Sequence, residues 1–179
     1  ETMKVLLPII WHELTHCIAR AFEAHGHEVR VFDWRQYQKR HNRHRIVPEI
    51  LAIAEEFRPD LAFCQFQAPD LITSALPIGL RRLGCFTVNW SGDVREPLPQ
   101  WYRDLAPFFD VTSFTNWPDV EELRDMGHRS EFLQIGYEPR VYYPGDEERG
   151  GVVFIGNNYG DRYPKGPLRR MMCQAMAEA

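Results

Sequence analysis

The sequence predicts an α/β fold built on a doubly wound parallel sheet. Short runs rich in β-branched and aromatic residues alternate along the chain with amphipathic segments of helical length. This pattern is typical of parallel strands joined by helical crossovers. Residues 5–10 form an almost continuous apolar run, as expected for a strand that is buried on both faces. With 179 residues, 44% of them hydrophobic, the chain can build one substantial core and part of a second domain.

Six strands and four helices are predicted before the chain reaches a linker. The predicted strands are residues 5–10, 29–33, 61–66, 85–90, 111–115 and 131–135. The predicted helices are residues 11–25, 46–57, 69–83 and 118–126. Gly26 and Gly127 follow two of these helices, where glycine readily takes the left-handed conformation that ends a helix.

The domain boundary is predicted just before residue 141. Residues 138–151 contain two prolines, three glycines and several acidic residues, a composition typical of a linker. We therefore expect a Rossmann-like domain at residues 4–140 and a linker at residues 141–150. Residues 151–179 then predict the first strand (152–155), a loop rich in Gly and Asn, and a helix of a second, incomplete Rossmann-like domain.

Composition and charge argue against several classes of protein. Lys and Arg total 21 against 25 Asp and Glu, so the net charge of −4 gives no global basic field for nucleic acid or anionic lipid. The four cysteines are far apart, without a CxxC pair, as in a reduced cytoplasmic protein. No stretch approaches the roughly 20 apolar residues that span a bilayer, and the start lacks the pattern of a signal peptide.

Candidate site residues follow the predicted strands, because ligands of open parallel sheets bind beyond the carboxyl ends of the strands. Four of the five tryptophans fall at such positions. The polar and aromatic residues found there include Trp11, His12, Glu13, Trp34, Gln65, Gln67, Trp90, Asp93, Arg95, Asn116 and Trp117. Indoles alternating with amides and carboxylates suit a polyhydroxylated ligand. The alternative is ordinary loop polarity, with tryptophans that pack against the sheet.

The segment from His12 to His16 matches the HExxH zinc motif. The string resembles thermolysin-like zincins, but the residue at the position of their third ligand is Gln36. Helical spacing also predicts that His12 and His16 share a solvated face with Arg20. Because two ligands do not make a catalytic zinc site, we predict no metal site, and a zinc hydrolase using His12 and Glu13 stays a less favoured alternative.

Three segments resemble GT-B glycosyltransferases of the spore-maturation CgeB-like, family 4-like group. The first is IARAF followed by GHEVRV in residues 18–31, which resembles the first helix and second strand of the superfamily. The second is FTNWPDVEEL followed by LQIGYEP in residues 114–139, which resembles the end of the acceptor domain. The third is VVFIGN followed by Lys165 and Gly166, which resembles the opening strand and loop of the donor-binding domain.

The resemblance implies an enzyme that moves a sugar from a nucleotide-sugar cosubstrate to a hydroxyl acceptor, without a covalent cofactor or a metal. His12 matches the histidine that deprotonates the acceptor hydroxyl in many inverting relatives. Asp93 is a second candidate for the base or an acceptor contact, with Arg95 close enough in sequence to stabilise its charge.

The predicted acceptor contacts are Trp11, Glu13, Trp34, Gln65, Trp90, Arg95 and Asn116. The residues implied for the donor diphosphate are Gly156, Asn157, Arg162 and Lys165, with Asn157 standing where relatives have arginine. We expect this fragment to be inactive alone, because most donor-binding residues of the family lie in the remainder of the second domain. The alternative function is a non-catalytic Rossmann domain that binds a nucleotide or a partner.

A basic stretch between Arg35 and Arg45 is the remaining feature of the sequence. Its cationic residues are Arg35, Lys39, Arg40, Arg43 and Arg45, accompanied by His41 and His44. It can meet the phosphates of an acceptor such as a nucleic acid, a teichoic-type polymer or a lipid head group. We interpret the stretch as a flexible solvated loop, with the phosphate contact as the alternative.

Overall fold

The protein is described here from a computed structural model. The structure describes residues 1–69, 71–95, 97–143, 145 and 166–178, without the side chains of residues 12–16. The chain divides into two compact units, Glu1–Pro139 and Arg140–Ala179. The predicted strand at 152–155, the loop that follows it and most of the predicted linker lie outside the described residues.

The first unit is built on one parallel sheet. Its strands are β1 (Lys4–Leu7), β2 (Glu28–Val31), β3 (Leu61–Cys64), β4 (Phe86–Ser91), β5 (Val111–Phe114) and β6 (Ser130–Phe132). They lie in the order β2-β1-β3-β4-β5-β6. Every neighbouring pair is parallel, which confirms the predicted α/β fold with a parallel sheet.

Helices connect the strands. They are α1 (His12–Ala24), α2 (Trp34–Arg40), α3 (Ile46–Phe57), α4 (Ala75–Arg82), α5 (Gln100–Leu105) and α6 (Trp117–Asp125). Short 3-10 turns occupy Arg43–Arg45 and Ala106–Phe108. In the second unit, the described residues include one helix, α7 (Gly166–Glu178). No helix in the described part of the chain is long and apolar enough to cross a membrane.

Both faces of the sheet are covered, because alternate residues of the central strands point to opposite sides. Leu6 of β1 packs in one cluster with Ile50 of α3 and Leu80 of α4. Its neighbours Val5 and Leu7 pack in another cluster, which includes residues of α1. This two-sided burial explains the continuous apolar run of the first strand and gives the doubly wound arrangement.

The basic stretch that was interpreted as a loop instead contains α2 and a 3-10 turn, so that interpretation is wrong. The Asp33 carboxylate caps α2 by accepting a hydrogen bond from the Gln36 backbone N–H at 2.9 Å. Trp34 and Tyr37 then pack against the main core cluster. Capping and tertiary packing therefore order a segment whose charge had suggested a solvated loop.

Two other helices differ from the predictions. The helix predicted from Pro69 begins only at Ala75, and α5 was not predicted at all. Only six residues long, α5 is shorter than the window in which a helical hydrophobic period can be recognised. Its buried residue Tyr102 packs with Phe114 of β5 in a third core cluster.

The buried strand β1 predicts a large mutational effect on stability. Leu6 is completely buried in the main cluster, so Leu6→Ala is expected to lower the free energy of unfolding by about 2–5 kcal/mol. Chemical denaturation followed by circular dichroism measures the change. The matched control is Leu133→Ala, because the Leu133 side chain is 42% exposed and its truncation should cost less than about 1 kcal/mol. Equal losses in the two variants would contradict the assignment of the core.

Candidate functional site

A pocket opens at the carboxyl ends of three adjacent strands, β1, β3 and β4. Its volume is about 270 Å³, just below the range of about 300–1,000 Å³ for small-ligand sites. The lining residues are Trp11, Gln65, Gln67, Trp90, Gly92, Asp93 and Ile135. β2 and β3 lie on opposite sides of β1 in the sheet, so the strand order reverses direction at β1. The pocket lies at this switch point, where such sheets bind ligands.

The wall between β1 and β3 is held by a buried carboxamide. Gln65 is 2% exposed, and its Oε1 accepts a hydrogen bond from the Trp11 backbone N–H at 3.0 Å. The Gln65 backbone N–H in turn donates to the Ile9 carbonyl at 2.7 Å. The segments that follow β1 and β3 therefore stay paired beyond the ends of these strands. This pairing fixes Trp11 at the rim of the pocket.

The loop after β3 is fixed by two side chains that bind the backbone of Phe66. Asn89, buried in β4, accepts a hydrogen bond from the Phe66 N–H at 3.0 Å. The Tyr102 hydroxyl donates to the Phe66 carbonyl. Burial raises the pKa of Tyr102, so its hydroxyl remains a donor at neutral pH. The backbone N–H and carbonyl of Phe66 are therefore both hydrogen-bonded, which fixes the loop just before the pocket residue Gln67.

Trp90 is a rigid wall of the pocket. Its side chain is 4% exposed, and its indole N–H donates to the Leu133 carbonyl at 3.0 Å. Gly92 lies close to the ring, since a Cβ at this position would come within 3.2 Å of the indole. The bond to Leu133 also brings the segment after β6 to the pocket, which Ile135 lines.

Trp34 contacts the pocket wall and is not among the lining residues. Its indole N–H donates to the Ile10 carbonyl at 3.0 Å. Its ring meets that of Trp11 edge to face, with centroids 6.3 Å apart. The Arg35 guanidinium lies 4.5 Å from the Trp11 ring centroid. Trp34 and Arg35 thus support the orientation of Trp11.

Asp93 lines the pocket and forms the predicted pair with Arg95, which is not among the lining residues. The Asp93 carboxylate is 58% exposed, and Arg95 Nη2 lies 3.4 Å from its Oδ2. The same Nη2 donates to the Gln67 carbonyl at 3.1 Å. Arg95 therefore joins the loops after β3 and β4, while the Asp93 carboxylate is open to a ligand.

Asn116 caps a helix and does not line the pocket. Its Oδ1 accepts from the Asp119 backbone N–H at 3.0 Å, and its Nδ2 donates to the Asp119 carboxylate at 2.7 Å. Asp119 is 3% exposed, and burial raises its pKa, although Asn116 and the Arg95 backbone N–H oppose the shift by stabilising the charged form. The oxygen and the nitrogen of the Asn116 side-chain amide are thus both engaged within the fold.

Two sets of predicted residues are incompletely described. His12 and Glu13 are the first two residues of α1 and follow Trp11 directly, but their side chains lie outside the described part of the structure, as does that of His16. The donor residues Gly156, Asn157, Arg162 and Lys165 also lie outside it. Among the residues whose side chains are described, no group of three His, Cys, Asp or Glu could hold a metal.

Three residues of the pocket were not chosen as candidate contacts from the sequence. Gln67 and Gly92 follow β3 and β4 and were noted there with Gln65 and Asp93, but position after a strand did not single them out. Ile135 carries no such signal, since it enters the pocket through a backbone contact of the segment after β6.

Comparisons with known proteins assign no family to this chain. No protein-family model matches the sequence, and no curated protein matches it. The function is therefore argued from the pocket and from the residues that build it.

The buried Asp119 predicts a specific dependence of stability on pH. The pKa of Asp119 is higher in the folded state than in the unfolded state. At pH values between these two pKa values, the folded state therefore binds more protons than the unfolded state. The free energy of unfolding should therefore fall as pH rises through this window. Asp119→Asn should remove that part of the fall, as measured by urea denaturation at several pH values.

Asp125→Asn is the matched control for this measurement, because Asp125 is an exposed carboxylate on the same helix. This variant should keep the fall in stability that Asp119→Asn removes. The interpretation of Asp119 would be rejected by an Asp119→Asn profile that is parallel to that of the wild type.

Proposed function

We propose that residues 4–140 are the acceptor-side domain of a GT-B-type glycosyltransferase. The observation that carries this proposal is the composition of the pocket, in which the indoles of Trp11 and Trp90 share a wall with two carboxamides and the Asp93 carboxylate. A sugar ring presents C–H groups that pack on an indole and hydroxyls that need donors and acceptors. The sequence resemblance to CgeB-like enzymes supports the same conclusion.

The proposed reaction joins an acceptor hydroxyl to the anomeric carbon of a nucleotide sugar. The acceptor oxygen forms the new bond as its proton passes to a base, and the nucleoside diphosphate leaves with the electrons of the broken bond. We propose His12 as this base, because an imidazole titrates near neutral pH and His12 follows the pocket residue Trp11 in the chain. Asp93, which lines the pocket, is the second candidate.

The donor contacts are proposed from the resemblance alone. Lys165 and Arg162 would supply the positive charge, while Gly156 and Asn157 would bring backbone and amide N–H groups to the diphosphate. Fixed cations and N–H donors stabilise the negative charge that grows on a leaving diphosphate. This arrangement needs no metal.

A non-catalytic nucleotide-binding domain of the same fold is less well supported. Dinucleotide-binding sheets carry a glycine-rich turn after the first strand, because only glycine lets the backbone approach the phosphates. Here β1 is followed by Pro8, Ile9, Ile10 and Trp11, without a glycine. The corresponding position is instead a bulky aromatic wall.

The pocket predicts that one tryptophan contributes to saccharide binding and another does not. Trp11→Ala should weaken binding about tenfold, because an aromatic contact is worth about 1.4 kcal/mol, a factor of ten in affinity. Isothermal titration calorimetry with methyl glycosides measures the change. Trp117→Ala is the control, since Trp117 is 52% exposed and stacks on Phe132 outside the pocket. Equal effects of the two substitutions would reject the pocket as the saccharide site.

The assignment of the base predicts a separation of binding from turnover. In a chain that carries the full donor domain this proposal requires, His12→Ala should abolish sugar transfer while leaving the affinity for the nucleotide sugar unchanged, because the base acts on the acceptor. Product formation and donor binding are measured on the same preparation, with Asp93→Asn tested in parallel. Normal turnover in the His12 variant would remove His12 from the mechanism.

A further inference from the structure

A strongly basic surface lies next to the pocket. We define the basic surface by five residues of α2 and of the 3-10 turn after it, namely Arg35, Lys39, Arg40, Arg43 and Arg45. The sequence contains no Asp or Glu between Trp34 and Pro48. A chain with a net charge of −4 therefore concentrates positive charge in one short segment.

The backbone that carries these cations is ordered. Tyr37 packs against the core from α2, and its hydroxyl lies within hydrogen-bonding distance, 3.2 Å, of the Glu49 carboxylate on α3. The His41 ring stacks on Tyr37 with centroids 4.2 Å apart. Asn42 caps the 3-10 turn by accepting from the His44 N–H at 3.1 Å. A fixed array of cations loses less entropy on binding an extended anion than a flexible loop would.

Within the described part of the chain, no salt bridge neutralises the basic surface. Six salt bridges join described residues, and none involves any of the five cations. The two flanking carboxylates have other roles, since Asp33 caps α2 and Glu49 faces the Tyr37 hydroxyl. Lys39, Arg40 and Arg45 are exposed and available to an anionic partner.

The basic surface begins at the rim of the pocket. Arg35 stacks 4.5 Å from the centroid of Trp11, and Trp11 lines the pocket. A chain that presents a hydroxyl to the pocket can therefore extend along α2 with its charged groups on the basic surface.

We propose that this surface binds the phosphodiester backbone of a single-stranded nucleic acid that serves as the acceptor, an inference that rests on the proposed glycosyltransferase function. Single-strand binding sites combine cations that follow the backbone with aromatic or guanidinium planes on which bases stack, and the Trp11 and Arg35 pair supplies both. A membrane surface is a poorer match, because the aromatic residues Trp34 and Tyr37 of α2 pack into the core. The helix thus lacks the apolar face that interfacial helices insert into lipid.

The test measures whether the 179-residue chain binds a fluorescent oligo(dT) strand of about 16 nucleotides. This length is within the range of single-strand sites. Anisotropy is measured at several salt concentrations. The wild type should bind with an affinity that falls as salt rises. The variant K39A/R40A should bind more weakly and show a salt slope smaller by about 1.4, because each phosphate contact on a single strand contributes about 0.7.

The control variant R82A/R129A removes two exposed arginines elsewhere in the first unit and should bind like the wild type. Thermal melting by circular dichroism verifies that both variants are folded. The proposal is overturned if the wild type fails to bind at low salt, or if the control loses as much affinity as K39A/R40A. Binding to vesicles of phosphatidylserine without binding to oligo(dT) would also overturn it, in favour of a lipid surface.

The same preparation separates this inference from the function on which it rests. If the wild-type chain binds methyl glycosides but not oligo(dT), the nucleic-acid acceptor is rejected and the saccharide pocket is retained. If the chain binds oligo(dT) through Lys39 and Arg40 but binds no glycoside, the saccharide pocket is rejected. The basic surface is then retained as a nucleic-acid site.

Discussion

The parallel pairing of β1 with β3 is the constraint on which the rest of the site depends. It brings Trp11 and Gln65, which are 54 residues apart in sequence, to one edge of the sheet, where the Gln65 carboxamide accepts the Trp11 N–H. Asn89 extends the same pattern to β4 by accepting the N–H of Phe66. A buried carboxamide without a partner would cost about 1–3 kcal/mol, so these bonds also specify the register in which the pocket forms.

Several residues contribute to the pocket without lining it. Trp34 supports Trp11 through an edge-to-face contact, and Tyr102 fixes the loop after β3. Arg95 connects that loop to the one that carries Asp93. These contacts hold the indoles and polar groups in fixed positions before a ligand arrives, which reduces the entropy lost on binding. The exposed Asp93 carboxylate is free to accept a hydrogen bond from a ligand hydroxyl.

Much of the fold could be predicted from sequence, because strand burial and helix periodicity are local signals. The helix at 46–57 was predicted with the bounds that the structure gives it, and all six strands of the sheet were found. The charged helix α2 was missed, since its order comes from the packing of Trp34 and Tyr37 against distant residues. In the candidate site, Trp11, Gln65, Trp90 and Asp93 were found from their positions after strands. The roles of Trp34 and Asn116 depend on tertiary contacts that strand order alone does not give.

The most direct test of the central claim is an NMR titration of the isotope-labelled 179-residue chain with the methyl glycosides of glucose, galactose and N-acetylglucosamine, followed on its five indole N–H signals. A saccharide in the pocket should shift the signals of Trp11 and Trp90, which line it. The signal of Trp117 should stay in place, because this residue lies outside the pocket. Five unmoved signals at millimolar glycoside, or a shift confined to Trp117, would contradict the saccharide site.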